Sequence, residues 1–198
     1  MHRIVDANID RVFANLHISR DQKDTAKLTY LEELALEGYS REYLRSAILG
    51  MLVAGRDNTA ALLTWLFFYL SRDLKSFHKL RNIVLEEFGT AAEGRSITFD
   101  SLKNSTFLQN CIKESLRLHA PVPLAMKEAV RDTTLPRGGG ADGSQPVFVA
   151  KGTEIVYHFH LMHRDQEYWG ADADAWRPER WEESRPGKEY SPFNAGPR

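Results

Sequence analysis

From Ser40 to about Arg72 the chain carries the pattern of one long helix, and this run constrains the fold more than any other feature. Tyr43, Leu44, Ala47, Ile48, Met51 and Leu52 form an apolar stripe at three-four spacing. Beyond Asn58 the helix turns apolar nearly all round, through Leu62, Leu63, Trp65, Leu66, Phe67, Phe68 and Leu70, and residues 58–71 carry no charge. A helix apolar on every side belongs inside a larger body. The uncharged run is short of the roughly 20 residues that a bilayer crossing needs, and Arg56 and Asp57 stand directly before it. A chain of 198 residues has little with which to cover such a helix.

The flanks read as helices, then a small sheet, then coil, which is a mainly α (α+β) arrangement. Residues 1–37 are charged and helical in composition, with Leu28, Leu31, Leu34 and Ala35 at helical spacing, Gly38 as a stop and Ser40 as a new N-cap. A second helix is expected over Leu74–Phe88, ended by Gly89, followed by a loop over Thr90–Asp100. A third is expected from about Ser105 to His119, stopped by Pro121 and Pro123. Thr133–Gly143 reads as a turn or hairpin loop, with short strands at Glu128–Arg131, Val147–Val149 and Thr153–Phe159. From Arg164 onward the pattern is an irregular, ordered meander rich in Pro, Trp and charge.

With 42% hydrophobic and 27% charged residues, the composition is that of an ordinary globular domain, and a net charge of -1 gives no argument for a nucleic-acid partner. Cys111, the single cysteine, excludes a disulfide framework and any multi-cysteine metal site within the chain. Its helical neighbours suggest a small buried thiol with no cause for a lowered pKa. The residues after Met1 contain no apolar run and read as neither signal peptide nor anchor.

Four motifs carry chemistry. Ala54-Gly55-Arg56-Asp57-Asn58-Thr59 places a glycine and a polar cluster in a helix built of Leu, Trp and Phe. Gly costs about 1 kcal/mol against Ala at such a position, but small residues let a flat ligand approach closely. An acid beside an amide or hydroxyl can carry protons, although a polar turn facing solvent explains the same residues. Glu114 and Arg117 stand three apart, an ordinary helix pair that also recurs at Glu42/Arg45, Glu128/Arg131 and Glu182/Arg185. What sets Glu114 apart is the sequel Arg117-Leu118-His119-Ala120-Pro121-Val122-Pro123. In Trp176-Arg177-Pro178-Glu179-Arg180-Trp181, flanking aromatics suggest a stacked, fixed guanidinium able to join the Glu114–Arg117 pair. Pro192-Phe193-Asn194-Ala195-Gly196-Pro197-Arg198 alone is a turn-rich tail.

In this order and at these separations the four motifs resemble cytochrome P-450, the haem-thiolate monooxygenases. The family pattern of AGx(D/E)T, ExxR, PER with aromatics and FxxGxRxCxG stands here as AGRDN, ESLR, PERW and FNAGPR. The resemblance covers essentially the whole chain and implies that residues 1–198 are a partial domain of that fold, running from the central helix to the segment before the cysteine loop. KEAVRDTTLPRGGGADG, PVFVAKGTEIVYHFHLMHR and YWGADADAWRPERW are similar to the fungal alkane and fatty-acid hydroxylases of the family. That similarity implies terminal hydroxylation of a long-chain fatty acid or alkane, with haem b (heme, iron protoporphyrin IX) as cofactor and O2 as co-substrate. It also implies a partner NADPH-dependent flavoprotein reductase and, for the full-length enzyme, residence on the cytosolic face of the endoplasmic reticulum membrane.

Carried over by position, Ala54, Gly55 and Asp57 would line the oxygen-binding bend above the haem. Glu114, Arg117 and Arg180 would form the structural triad on the cysteine side. Arg198 would serve one haem propionate and Lys127 the other, where relatives usually have Arg; Phe193 and Gly196 belong to the cofactor-binding segment. The family's axial cysteine falls two positions past Arg198, and Cys111 stands in the wrong motif to replace it. Asn58 occupies the place of the usual proton-relay Thr, while Thr59 is rotated about 100° round the helix. Two readings follow: part of a working monooxygenase, or a non-catalytic truncated remnant unable to ligate haem iron.

Overall fold

The computed structural model describes residues 2–15, 28–183 and 186–195. They fall into two compact units, residues 1–60 and residues 61–198. The architecture is mainly α with small antiparallel sheets, as the sequence pattern implies.

The first unit holds α1 (His2–Ala14), α2 (Tyr30–Leu36) and the opening turns of α3 (Arg41–Arg72). Thr29 caps α2 by a reciprocal box: its hydroxyl accepts the Glu32 N–H, and the Glu32 carboxylate accepts the Thr29 N–H at 2.8 Å. Gly38, at φ 85°, ends the α2 region in a conformation that L side chains rarely adopt. Ser40 caps α3 by accepting the Tyr43 N–H at 3.2 Å. The core of this unit is Val5 and Ile9 against Leu34, Ala35 and Leu44. Of the stripe expected on α3, Leu44 is buried whereas Tyr43, Met51 and Leu52 are exposed. Arg45, expected beside Glu42, reaches Asp6 of α1 at 2.6 Å.

The second unit continues α3 and adds α4 (Leu74–Phe88), α5 (Phe99–Asn104) and α6 (Thr106–Leu118). Asp73 caps α4 by accepting the Ser76 N–H at 3.2 Å, and Gly89 ends it at φ 75°. Leu66 and Leu70 of α3, Leu80 of α4, and Phe107 and Cys111 of α6 form the core, with Trp176 packed against it. Strand β1 (Leu124–Glu128) pairs antiparallel with β4 (Glu154–His158), and β2 (Thr133–Gly139) with β3 (Gln145–Val149). Three helical turns follow: α7 (Phe159–Met162), α8 (Gln166–Trp169) and α9 (Arg180–Glu183).

Several boundaries differ from the sequence expectation. The loop placed over Thr90–Asp100 ends earlier, because Thr98 and Ser101 cap each other across their backbones and open α5. The turn placed over Thr133–Gly143 is mostly strand β2: Pro136 is tolerated in a two-stranded ribbon, and a register shift lies between Leu135 and Gly139. A Cβ on Gly139 would stand 2.7 Å from the Pro146 carbonyl oxygen, so only glycine fits this close pairing. The strand expected at Glu128–Arg131 begins upstream, since β1 takes its register from β4, Leu124 opposite His158 through Glu128 opposite Glu154. The strands form two separate ribbons rather than one sheet.

Candidate functional site

Helix α6 places Glu114 and Arg117 one turn apart, and both side chains are wholly buried. An exposed pair at this spacing contributes a few tenths of a kcal/mol, about 0.3–0.5; here the charges have left water and must be fully satisfied. Arg117 grips the carboxylate with two prongs, Nε to Oε2 at 2.9 Å and Nη2 to Oε1 at 2.8 Å. Its other N–H groups donate to the carbonyls of His163 and Ala173, each at 2.6 Å, and Ala175 at 3.1 Å. Glu114 also accepts the backbone N–H of Arg177 and the indole N–H of Trp181, both at 3.0 Å. Arg180 completes the group, its Nε 3.4 Å from Glu114 Oε1. Nη1 of Arg180 donates to the Trp169 carbonyl at 2.7 Å and to Asp172 at 2.9 Å. Asp172 supplies the second negative charge, and its hydrogen bond from Arg180 holds its carboxyl below the usual aspartate range.

Trp176 stacks on Tyr69 of α3, centroids 5.4 Å apart, and donates its N–H to Ser115 Oγ at 3.1 Å. Trp181 donates its indole N–H to Glu114 Oε2. Arg177 reaches Asp172 at 2.9 Å and Glu183 at 3.0 Å. The guanidinium of Arg117 lies over Trp169, 4.9 Å from its ring centre.

In the first unit, Ala54, Gly55, Asp57, Asn58 and Thr59 lie on a continuous stretch of α3, all exposed. Asp57 accepts a hydrogen bond from Arg56 Nε at 2.7 Å. Thr59 stands one turn beyond Gly55 and donates its hydroxyl to the Gly55 carbonyl at 3.1 Å. Apart from its chain neighbours and the helix's own backbone, no heavy atom lies within 4 Å of where a Cβ on Gly55 would be. This open, small-residue surface fits the close approach of a flat macrocycle. In the second unit Lys127 is exposed on β1 opposite Ile155, and Phe193 is exposed in a turn. Gly196 and Arg198 lie outside the described residues, as does Arg185. Cys111 does not fit as an axial ligand: it is fully buried in the core, and burial pushes its thiol up to about 12.

Two histidines were not singled out by their sequence context. His119 caps α6, lies flat on Trp65 with centroids 3.5 Å apart, and meets the Tyr69 hydroxyl through Nε2 at 2.8 Å. Burial, with Arg164 and His160 adding to it, pushes His119 down to about 4. The available signal was the i, i+4 spacing of Trp65 and Tyr69, which puts both rings on one face of α3. His163 is wholly buried and its ring touches the backbones of both Arg117 and Ser191. Its partners are distant in sequence, so no local pattern marks it.

Comparison with known proteins accounts for this arrangement. The family profile "Cytochrome P-450" matches residues 2–198. Cytochrome P-450 monooxygenase alt2 of Alternaria solani is 46% identical over 202 residues, covering all of this chain and 37% of its own length. Cytochrome P-450 monooxygenase g430 of a Fusarium species is 43% identical over 99% of this chain and 36% of its own length. Cytochrome P-450 52A13 of Debaryomyces hansenii is 44% identical over 90% of this chain. The chain thus spans a little over a third of the length of these relatives. A match running through both units and through all the buried members of the ion network makes this chain a member of the cytochrome P-450 family.

Proposed function

We propose that residues 1–198 are part of a single haem-dependent monooxygenase domain that hydroxylates a long-chain fatty acid or alkane. The observation that carries this reading is the buried Glu114–Arg117–Arg180 network, built from the two family motifs that stand more than sixty positions apart. The resemblance of the strand and meander segments to fungal alkane and fatty-acid hydroxylases supports the substrate class.

Carried over from the family pattern, Ala54 and Gly55 would border haem b, and Lys127 and Arg198 would serve its propionates. Lys127 keeps the charge but lacks the planar fork of arginine. Phe193 and Gly196 belong to the segment leading to the axial cysteine, which the family pattern places beyond Arg198. When bound through a thiolate, haem supplies O2 activation, the sulfur pushing electron density toward O–O cleavage. Asp57 exchanges protons with solvent, and Thr59, held over Gly55, stands in for the hydroxyl that Asn58 lacks. Asn58 hydrogen-bonds but is neither acidic nor basic near neutral pH.

The balance is that of a monooxygenase: one oxygen atom of O2 enters a C–H bond and the other leaves as water. Two electrons come from NADPH through a flavoprotein reductase, and two protons come from solvent. Residence on the cytosolic face of the endoplasmic reticulum belongs to the same proposal; no helix among the described residues is long and apolar enough to cross a membrane. The test is the full-length protein with haem, reductase, NADPH and isotope-labelled O2, offered long-chain fatty acids and alkanes. One labelled oxygen atom in a hydroxylated product is expected. NADPH-dependent turnover that leaves these chains unoxidised would overturn the substrate class.

A further inference from the structure

The ring of His163 is wholly buried between two backbone groups of opposite kind. Its Nδ1 lies 3.0 Å from the carbonyl oxygen of Arg117, which can only accept a hydrogen bond. Its Nε2 lies 3.0 Å from the backbone N–H of Ser191, which can only donate. The two contacts together require a neutral ring with its single proton on Nδ1. A second link runs the other way, because Arg117 Nη1 donates to the carbonyl of His163 at 2.6 Å. Arg117 and His163 therefore clamp each other twice, by guanidinium to carbonyl and by ring to carbonyl. Ser191 is itself buried, and its hydroxyl donates to the Lys188 carbonyl at 2.8 Å, so the amide that His163 holds belongs to an ordered turn.

We propose that His163 is a positioning residue that fixes the Ser191–Ala195 segment to the buried Glu114–Arg117 network through its neutral Nδ1–H ring. This rests on the reading above, in which that segment leads to the haem-ligand cysteine. It adds a device to that reading: the imidazole ties the segment to the buried network by a hydrogen bond, beside the one that the Tyr190 hydroxyl donates to the Lys113 carbonyl at 3.3 Å. Protonation of Nε2 would set N–H against N–H at Ser191 and release the loop. The charged and titratable groups around the ring are Arg117 and Glu114 on α6, His160 on α7, Arg164 after it, and Tyr190, whose ring centre is 5.6 Å away. Burial, helped by the charges of Arg117, Arg164 and His160, outweighs the raising effect of the hydrogen bond to the Arg117 carbonyl and pushes His163 down to about 4, which keeps the ring neutral across the neutral range.

The experiment uses the full-length haem-loaded protein and two variants that each keep one bond. His163→Asn presents its amide N–H at the position of Nδ1 and keeps the Arg117 side; His163→Gln presents an acceptor at the depth of Nε2 and keeps the Ser191 side. Amide hydrogen exchange at Ser191 is expected to rise about tenfold in His163→Asn and to stay within about threefold of wild type in His163→Gln. Equal exchange in both variants would overturn the proposal, because a packing role does not distinguish them. Imidazole nitrogen NMR on the wild type needs no variant: Nδ1 protonated and Nε2 bare from pH 5 to 8 is expected, and an Nε2–H tautomer or a titration inside that window would overturn it. Loss of thiolate ligation in wild type would sink the monooxygenase reading; intact ligation with indifferent variants would sink only the role of His163.

Discussion

Replacing Glu114 by Gln removes one charge and one acceptor from a site that has no access to water. The carboxylate accepts five hydrogen bonds: two from Arg117, and one each from the Arg177 backbone, Arg180 and the Trp181 indole. If the amide oxygen takes the place of Oε1, the amide N–H2 takes the place of Oε2. It then faces Arg117 Nε–H and Trp181 Nε1–H, donor against donor. Arg117 has no surface exposure and keeps only neutral carbonyl partners. Breaking a buried pair while its partner remains charged costs about 3–5 kcal/mol, a large part of the roughly 5–15 kcal/mol that holds a typical domain together. The matched control is Glu183→Gln, whose partner Arg177 is 38% exposed and whose own side chain is 63% exposed; such a pair contributes about 0–1 kcal/mol. Urea unfolding of the full-length protein, followed by the fluorescence of the tryptophans beside the network, measures both. A Glu114→Gln loss below about 1 kcal/mol, or one equal to that of Glu183→Gln, would refute the assignment of the network as the anchor of the fold.

Three further outcomes follow from the same structure. His119 and His163 are both depressed to about 4 from an ordinary value of 6.5, so the unfolded chain binds more protons between those limits. Their contribution to stability is complete above about pH 6.5 and is lost as the pH falls toward 4; a urea midpoint that does not drop between pH 7 and pH 5 would contradict this. The Cys111 thiol, fully buried and pushed up to about 12, is expected to react with a maleimide only at the rate of unfolding, and prompt labelling of the native protein would contradict its place in the core. Thr59→Ala is expected to lower product formed per NADPH by about tenfold or more, as for loss of a proton-delivering group, and Asn58→Ala to leave it near wild type; the reverse order would move proton delivery to Asn58.

What was legible in the sequence depended on how local the cause is. Helix α3 was readable because Ser40 caps it and an uncharged run extends it, and α4 because Gly89 stops it. Helix α5 was hidden because Thr98 and Ser101 close their box with serine instead of the glutamate that marks the usual pattern. Strand β2 was hidden because Pro136 and the glycines after it look like a turn, while the pairing with β3 that makes them a strand is not local. In the ion network, Glu114, Arg117 and Arg180 were readable from motif order, but Asp172 was not, since nothing nearby announces that its carboxylate answers Arg180. His163 and the indole of Trp181 escaped for the same reason: the groups they serve lie 46 and 67 residues away.

The most direct test of the central claim is the carbon monoxide difference spectrum of the full-length, haem-loaded, reduced protein. The account predicts the red-shifted Soret band of thiolate-ligated ferrous haem, retained when Cys111 is replaced by Ala because that thiol lies in the core. A wild-type protein that binds haem yet shows only the unshifted band, or a thiolate band that disappears with Cys111, would contradict it.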